Sequence, residues 1–217
     1  MKLELYAPLW PLKGVNYFFN DPKYKGHNGL DFFATHGTPI YATHEGLAQY
    51  QVDTGGGHGV VIISNNQYDM KEGKAYIKTI YWHMVDPLKE PKYASPLVGK
   101  TGLTPVKRGE LIGYADSTGN STGSHLHFGM KRLKKGSKEG VWITLNNNNG
   151  YNGAIDPIPY LVEKFDHPPM VNEYKDIISR LQRFLVKEGF LLMPPNAEFG
   201  YFGELTKDAT TRYQKTH

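Results

Sequence analysis

Short apolar runs separated by Gly, Asn and Pro dominate the first 165 residues of the chain. Runs of this kind, bounded by turn residues, are typical of β-strands, and helical periodicity is weak throughout this part. The pattern predicts a mainly β domain with strands at Leu30–Ala34, Pro39–Ala42, Gly46–Gln51, Val60–Ser64, Lys74–His83, Leu111–Tyr114, His125–Lys131 and Val141–Ile143. The stretch Asp86–Pro105, rich in Pro, Lys and Gly, is predicted to be a long excursion between strands, either functional or disordered.

The pattern changes after residues 165–169, where two prolines in a polar setting predict a short stiff linker. Beyond the linker, apolar residues recur at the spacing of an amphipathic helix, at Ile177, Ile178, Leu181, Phe184 and Leu185. Gly189 is the predicted C-cap of this helix, and a second helix is predicted to begin near Thr206. We therefore expect a mainly β domain over residues 1–165 and a small α-helical domain over residues 166–217.

The composition excludes several functional classes. The chain has no cysteine, so disulfide scaffolds, thiolate metal sites and cysteine nucleophiles are all excluded. A formal net charge of +4 is too small by itself to indicate nucleic-acid binding; it favours approach to a polyanionic surface, such as a bacterial cell wall, and is equally consistent with a generic solvated surface. No stretch approaches the length of a membrane helix, and Glu4 and two prolines interrupt what would be the apolar core of a signal peptide. We expect no nucleic-acid partner, no membrane insertion and a monomer.

Two pairs of residues carry candidate metal chemistry. His125 and His127 flank one apolar residue in a predicted strand, so both imidazoles point to the same face. Neighbouring imidazoles favour neutral rings that share a cation, although a chance histidine pair is the competing interpretation. His27 and Asp31, four residues apart in a predicted extended stretch, also share a face, but alone they are a weak signal. Together the two pairs offer the mixed nitrogen and oxygen ligands of a catalytic zinc.

Several further segments match a known family in their order along the chain. They are Tyr81-Trp82-His83-Met84, a predicted hairpin at Val106–Gly113, and Thr122–Phe128, together with Gly37–Ala42 before Glu45-Gly46 and Ile155-Asp156-Pro157 before Tyr160-Leu161. With His27-x-x-x-Asp31 they resemble the lysostaphin-type zinc endopeptidases, also called LytM-like peptidases, over roughly residues 8 to 163. The resemblance implies an antiparallel β-sheet domain and a Zn²⁺ cofactor.

Carried over by position, the resemblance implies that His27, Asp31 and His127 are zinc ligands, with one coordination position left for water or substrate. It implies that His83 and His125 are a catalytic pair outside the ligand set. One of these imidazoles would take a proton from water, and the other would stabilise the oxyanion or protonate the leaving amine. Spacing does not say which does which.

The resemblance does not assign every residue of the site. A polar acceptor is expected to orient each liganding imidazole, and the sequence does not identify it. Tyr24 is the nearest candidate for the family's supporting tyrosine. The chain departs from the family at Tyr114–Gly119, where the family has a glycine near Asp116, and at Asp86–Pro105, which is longer than in compact members. Because this long segment follows His83 directly, we expect it to border the substrate groove.

The tail resembles a small helical peptidoglycan-binding module. The matching positions are Ile178, Leu181-Gln182, Leu185, Gly189-Phe190, Phe199–Gly203, Thr206, Ala209 and Tyr213-Gln214. The usual Asp before the first glycine of the turn is missing, and the chain stops at His217, where the module continues into a further helix. A partial module and a helical packing appendage are the two interpretations.

The sequence thus predicts a zinc metalloendopeptidase that hydrolyses peptide bonds in the stem or cross-bridge peptides of bacterial peptidoglycan. It is expected to act at the cell wall, as a phage-type endolysin held in the host cytoplasm before release or as a secreted bacterial autolysin. The alternative is a non-catalytic LytM-like regulator or wall-binding protein, although such proteins usually lose metal ligands. A lipoyl-like carrier, suggested by the Val106–Gly113 segment, leaves the histidines unexplained.

Overall fold

The structure is a computed structural model and describes residues 1–9, 14–162, 182–183, 185–193, 209 and 212. The chain divides into two compact units, Met1–Phe165 and Asp166–His217. The first unit is built from β-strands, as the alternation of apolar runs and turn residues predicts.

The described strands of the first unit are β1 Val15–Tyr17, β2 Leu30–Phe33, β3 Pro39–Tyr41, β4 Gly46–Val52, β5 His58–Ser64, β6 Tyr76–Met84, β7 Thr104–Val106, β8 Leu111–Tyr114, β9 His125–Lys135 and β10 Trp142–Thr144. Eight strands form one sheet in the order β1-β2-β9-β6-β5-β4-β7, with β10 also paired to β9. Strands β3 and β8 form a separate two-stranded sheet, and every strand pairing is antiparallel. Short 3₁₀ helices occur at Pro91–Tyr93 and Ile158–Tyr160.

One face of the large sheet packs on the hydrophobic core. Leu30 is paired with Phe128 and Phe32 with Leu126, and all four side chains are fully buried. Tyr81 extends the same face, with its ring centroid 5.3 Å from that of Phe128. Burial of each such side chain contributes about 1.5–3 kcal/mol of transfer free energy, so this face fixes which residues point away from the core.

The mainly β, antiparallel architecture predicted for the first unit is confirmed, while some details differ. The predicted hairpin at Val106–Gly113 is wrong, because β7 pairs with β4 whereas β8 pairs with β3 in the other sheet. The chain does reverse between the two strands, with Glu110 N–H donating to the carbonyl of Lys107 at 3.1 Å. The chain turns here, but the two flanking strands do not pair with each other. The lipoyl-like alternative was suggested by a hairpin at this segment, so it loses its support.

The second unit is described only in part. Residues 182–183 and 185–187 are helical, and Gly189 ends this helix with a φ of 76°. Phe190 N–H donates to Leu185 O at 2.8 Å and Gly189 N–H to Val186 O at 3.1 Å, which is the Schellman arrangement expected of a glycine C-cap. Most of the two predicted helices lies outside the described residues, so the small α-helical domain stays a prediction. Among the described residues, no helix is long and apolar enough to span a membrane.

A buried polar network joins the turn before β4 to the centre of β6. His44 Nε2 lies 2.9 Å from Thr79 Oγ1, and its Nδ1–H donates to the carbonyl of Glu45 at 2.8 Å. The hydroxyl of Tyr81 lies 2.8 Å from Thr43 Oγ1 in the same network. Burial lowers the pKa of His44 to about 4, so the folded protein holds this imidazole neutral.

The neutral His44 predicts a loss of stability in acid. Between its unfolded pKa of about 6.5 and its folded pKa of about 4, only the unfolded chain takes up the proton, so stability falls as pH decreases through this window. Between pH 7 and pH 4.5 we expect His44 to remove about 2.5 kcal/mol from the free energy of unfolding. Urea titration followed by tryptophan fluorescence measures this, because all three tryptophans lie in the first unit. The His44→Gln variant has no imidazole to titrate at this position, so its free energy of unfolding should fall by about 2.5 kcal/mol less over the same pH range. An equal fall in the variant and the parent would contradict the neutral state of His44.

Candidate functional site

The pairing of β2 with β9 brings two distant segments together on the face of the sheet opposite the core. Asp31 lies directly opposite His127, 96 residues further along the chain, and Phe33 lies opposite His125. As predicted, His125 and His127 point to one face of β9. His27 does not share a strand with Asp31, because it precedes β2 in a turn where its N–H donates to the carbonyl of Tyr24 at 3.0 Å.

Three side chains converge on one point of this face. His27 Nε2 lies 3.0 Å and His127 Nδ1 lies 2.9 Å from Asp31 Oδ1, and the two nitrogens are 3.2 Å apart. A tetrahedral zinc with bonds of about 2.0–2.1 Å to nitrogen and oxygen separates its ligand atoms by about 3.3 Å. The described side chains therefore fit a divalent zinc ion in donor type and in spacing. Their assignment as ligands stays a prediction.

Backbone groups orient the first of these imidazoles. His27 Nδ1–H donates to the carbonyl of Phe18 at 2.7 Å, which leaves Nε2 directed at Asp31 and His127. This is the polar acceptor that the sequence did not identify. Tyr24 stacks on the same ring with centroids 5.1 Å apart, so it does contact the site, while its role as the supporting tyrosine stays a prediction.

Gly29 makes room for the second imidazole. A Cβ placed on Gly29 would lie 2.8 Å from both Cε1 and Nε2 of the His127 ring and 2.6 Å from the carbonyl oxygen of Phe128. No non-glycine side chain fits at this approach without displacing the imidazole or the strand. Gly29 is thus part of the candidate site that the sequence did not single out, although its place between His27 and Asp31 was a visible signal.

His83 and His125 lie together beside the three converging side chains. Their ring centroids are 4.5 Å apart, and His125 Nε2 is 3.7 Å from Asp31 Oδ1. Strand alternation alone would send His83 to the core face, since the preceding Trp82 lies opposite His127. A β-bulge against His58-Gly59 and a φ of 65° at His83 redirect its side chain.

One loop, residues 115–123, holds both of these histidines. His83 Nδ1–H donates to the carbonyl of Thr118 at 2.7 Å, and His125 Nδ1–H donates to the carbonyl of Gly123 at 2.8 Å. The backbone of Asp116 in the same loop donates to His83 O and accepts from His125 N–H, at 2.7 and 3.1 Å. Both rings therefore keep Nε2 free of backbone partners among the residues that the structure describes. The sequence carries no sign of these carbonyl contacts.

The electrostatics of the site follow from burial and from close partners. Burial opposes ionisation of Asp31, yet hydrogen bonds from His127 and His27 hold its pKa well below the usual range. Burial works against a charge on His27 as well, but the hydrogen bond to Asp31 raises the pKa of this imidazole. Burial lowers the pKa of His83, so this ring is neutral at neutral pH.

The amino-acid sequence matches peptidase family M23 over residues 25–143, which is more than half of the chain and includes all five candidate site residues. The protein therefore belongs to this family of metallopeptidases, and lysostaphin-like proteins are among its homologues.

Several homologues of this chain are peptidoglycan endopeptidases. It is 37% identical over 103 residues to the peptidoglycan DD-endopeptidase ShyB of Vibrio cholerae, covering 47% of this chain and 20% of that protein. It is 29% identical over 137 residues to the glycyl-glycine endopeptidase ALE-1 of Staphylococcus capitis, covering 62% and 29%. A solved structure of the antimicrobial peptidase lysostaphin from Staphylococcus simulans aligns with a TM-score of 0.48 and 25% identity, over 74% of this chain and 53% of that one. The chain thus spans less than a third of the length of these two curated relatives.

Replacement of Gly29 tests whether its bare backbone is needed for the metal centre. We expect Gly29→Ala to weaken zinc binding about tenfold to a hundredfold, because the methyl group displaces His127 from its position. Competition with a chromogenic chelator measures the affinity. Gly123→Ala is the matched control, since a Cβ there meets nothing within 4 Å. Equal zinc affinities for Gly29→Ala and the parent would contradict this role.

Proposed function

We propose that the protein is a zinc-dependent endopeptidase that cleaves peptide bonds in bacterial peptidoglycan. The observation that carries this proposal is the convergence of His27 Nε2, Asp31 Oδ1 and His127 Nδ1 within 3.2 Å of one another, next to two imidazoles whose Nδ1–H groups donate to backbone carbonyls. Three donors leave a coordination position open, as in catalytic rather than structural zinc sites.

His27, Asp31 and His127 would hold the zinc ion. When bound, zinc supplies Lewis-acid chemistry, polarising the scissile carbonyl and lowering the pKa of water towards about 7. The hydrogen bond from His27 Nδ1–H to Phe18 fixes the tautomer that this role needs. The charge of Asp31 is retained over the whole working pH range, because its partners keep its pKa low.

His83 and His125 carry the proton transfers in this proposal. Each donates Nδ1–H to a backbone carbonyl, so Nε2 is the atom that accepts or returns a proton. One ring would take a proton from the attacking water, and the other would protonate the leaving amine or stabilise the oxyanion. Their centroids are 4.5 Å apart, which is close enough for both to serve one scissile bond.

The substrate class comes from the relatives. ShyB and ALE-1 are named for the peptidoglycan and glycyl-glycine bonds they cut, and we extend peptide cleavage in the wall to this chain. Action as a phage-type endolysin or as a bacterial autolysin needs the same site chemistry. Wall binding by residues 166–217 stays a prediction.

Two alanine substitutions separate metal binding from catalysis. We expect His127→Ala to lose zinc, because it removes one of three donors, and to lose activity with it. We expect His125→Ala to keep zinc while wall clearing falls by about a hundredfold or more, because it removes a proton-transfer group. Zinc content by atomic absorption and turbidity loss of purified cell walls measure the two effects.

The control for these variants is His44→Gln, which removes an imidazole on the core side of the sheet and should leave both readouts unchanged at neutral pH. A parent protein that binds zinc stoichiometrically but clears no wall would contradict the hydrolase proposal and favour a wall-binding regulator. Loss of zinc from His125→Ala, or its retention by His127→Ala, would contradict the division of roles.

A further inference from the structure

Two lysines face each other on the sheet surface that carries the candidate metal centre. Lys78 on β6 is directly opposite Lys131 on β9, in the same register that sets Trp82 opposite His127. Because side chains two and four residues apart in a strand share a face, both lysines point to the side of Asp31 and His127. Four residues of β9 separate Lys131 from His127, a distance of about 13 Å.

The lysine pair lacks a counter-charge within the part of the chain that the structure describes. No described carboxylate lies within 4.0 Å of either ammonium group, although other ion pairs on this unit are present. Like charges directly opposite in an antiparallel sheet are destabilising. Both side chains are also partly buried, and this burial lowers the pKa of each, with the charge of Lys131 adding to the effect on Lys78. An anion bound between the two ammonium groups would offset these costs.

On β6 and β9, the positions between the lysines and the metal centre on this face carry no charged side chain. Gly129 lies between His127 and Lys131 on β9 and is opposite Ile80, whose side chain is 3.5 Å from where a Cβ of Gly129 would be. Val61 on β5, opposite Ile80, is buried, and the carbonyl of Asn28 lies 3.6 Å from the same Cβ position. None of these groups carries a charge, so none competes with the lysines for a carboxylate on a peptide that extends from the metal centre.

We propose that Lys78 and Lys131 form a subsite for a carboxylate of the peptide substrate, about four residues of extended chain from the bond that is cut. The inference rests on the proposed function and adds to it a preference among peptide substrates. Peptides with a free carboxylate, at the terminus or on an acidic side chain, are favoured over the same peptides carrying a carboxamide. Two ammonium groups bind one carboxylate through charge-assisted hydrogen bonds, which are stronger than the neutral bonds a carboxamide makes.

The test compares two synthetic cross-linked stem peptides, one with free carboxylates and one with every carboxylate converted to carboxamide. For the Lys78→Gln/Lys131→Gln double variant, we expect kcat/KM for the carboxylate peptide to fall about tenfold, mainly through KM. The value for the carboxamide peptide should be unchanged. The preference of the parent for the carboxylate peptide should weaken as salt is added.

Lys134→Gln is the control, because it removes one lysine charge from β9 at an exposed position on the opposite face. It should leave the preference intact. The double variant should also retain the zinc content and thermal midpoint of the parent, since it removes a repulsion. An equal loss for both peptides, no loss for either, or weaker binding to whole walls without a change in peptide preference would each overturn the proposal.

Failure of the proposed function gives a different result. If the zinc-loaded parent cleaves neither peptide, the endopeptidase assignment fails, and the subsite is judged by dissociation constants from calorimetry. Weaker binding of the carboxylate peptide by the double variant than by the parent would then support the subsite. Equal dissociation constants would overturn it.

Discussion

The site depends on the antiparallel register between β2 and β9. This register places Asp31 opposite His127, and the same four-residue pairing buries Leu30 against Phe128 and Phe32 against Leu126. A slip of one residue would turn the apolar side chains to the surface and Asp31 into the core. The hydrophobic face of β2 therefore holds the polar face in place, and the free energy that aligns the candidate ligands comes largely from burial on the other side of the sheet.

Backbone carbonyls orient the site histidines that the strand register brings together. Carbonyls of Phe18, Thr118 and Gly123 accept from the Nδ1–H groups of three site histidines and so fix their tautomers. These contacts come from loops rather than from the sheet. The left-handed backbone at His83 is unfavourable for a non-glycine residue, and the surrounding hydrogen bonds of loop 115–123 hold it there. The bulge, the backbone conformation of His83 and the carbonyl contacts thus all fix the positions of the His83 and His125 rings.

The two faces of the sheet have different polar chemistry. On the core side, His44, Thr43, Thr79 and Tyr81 satisfy one another and are buried, so this network contributes to stability and is remote from solvent. On the other side, the polar groups converge without being buried as completely, and Lys78 faces Lys131 in the absence of any described carboxylate partner. Buried polar groups that bond to one another stabilise the fold. Charged groups without a counter-charge offer a ligand of opposite charge the larger gain in binding free energy.

The sequence by itself determined the mainly β class of the first unit and the shared face of His125 and His127, because strand alternation is a local property. The motif order also pointed to His27, Asp31 and His83, which the structure brings near that pair. Only the tertiary structure decided that the Val106–Gly113 segment is divided between two sheets, that a bulge redirects His83, and that Gly29 accommodates the His127 ring. These features depend on which strands become neighbours, and pairing between residues about a hundred positions apart is set by burial of the whole core rather than by local sequence.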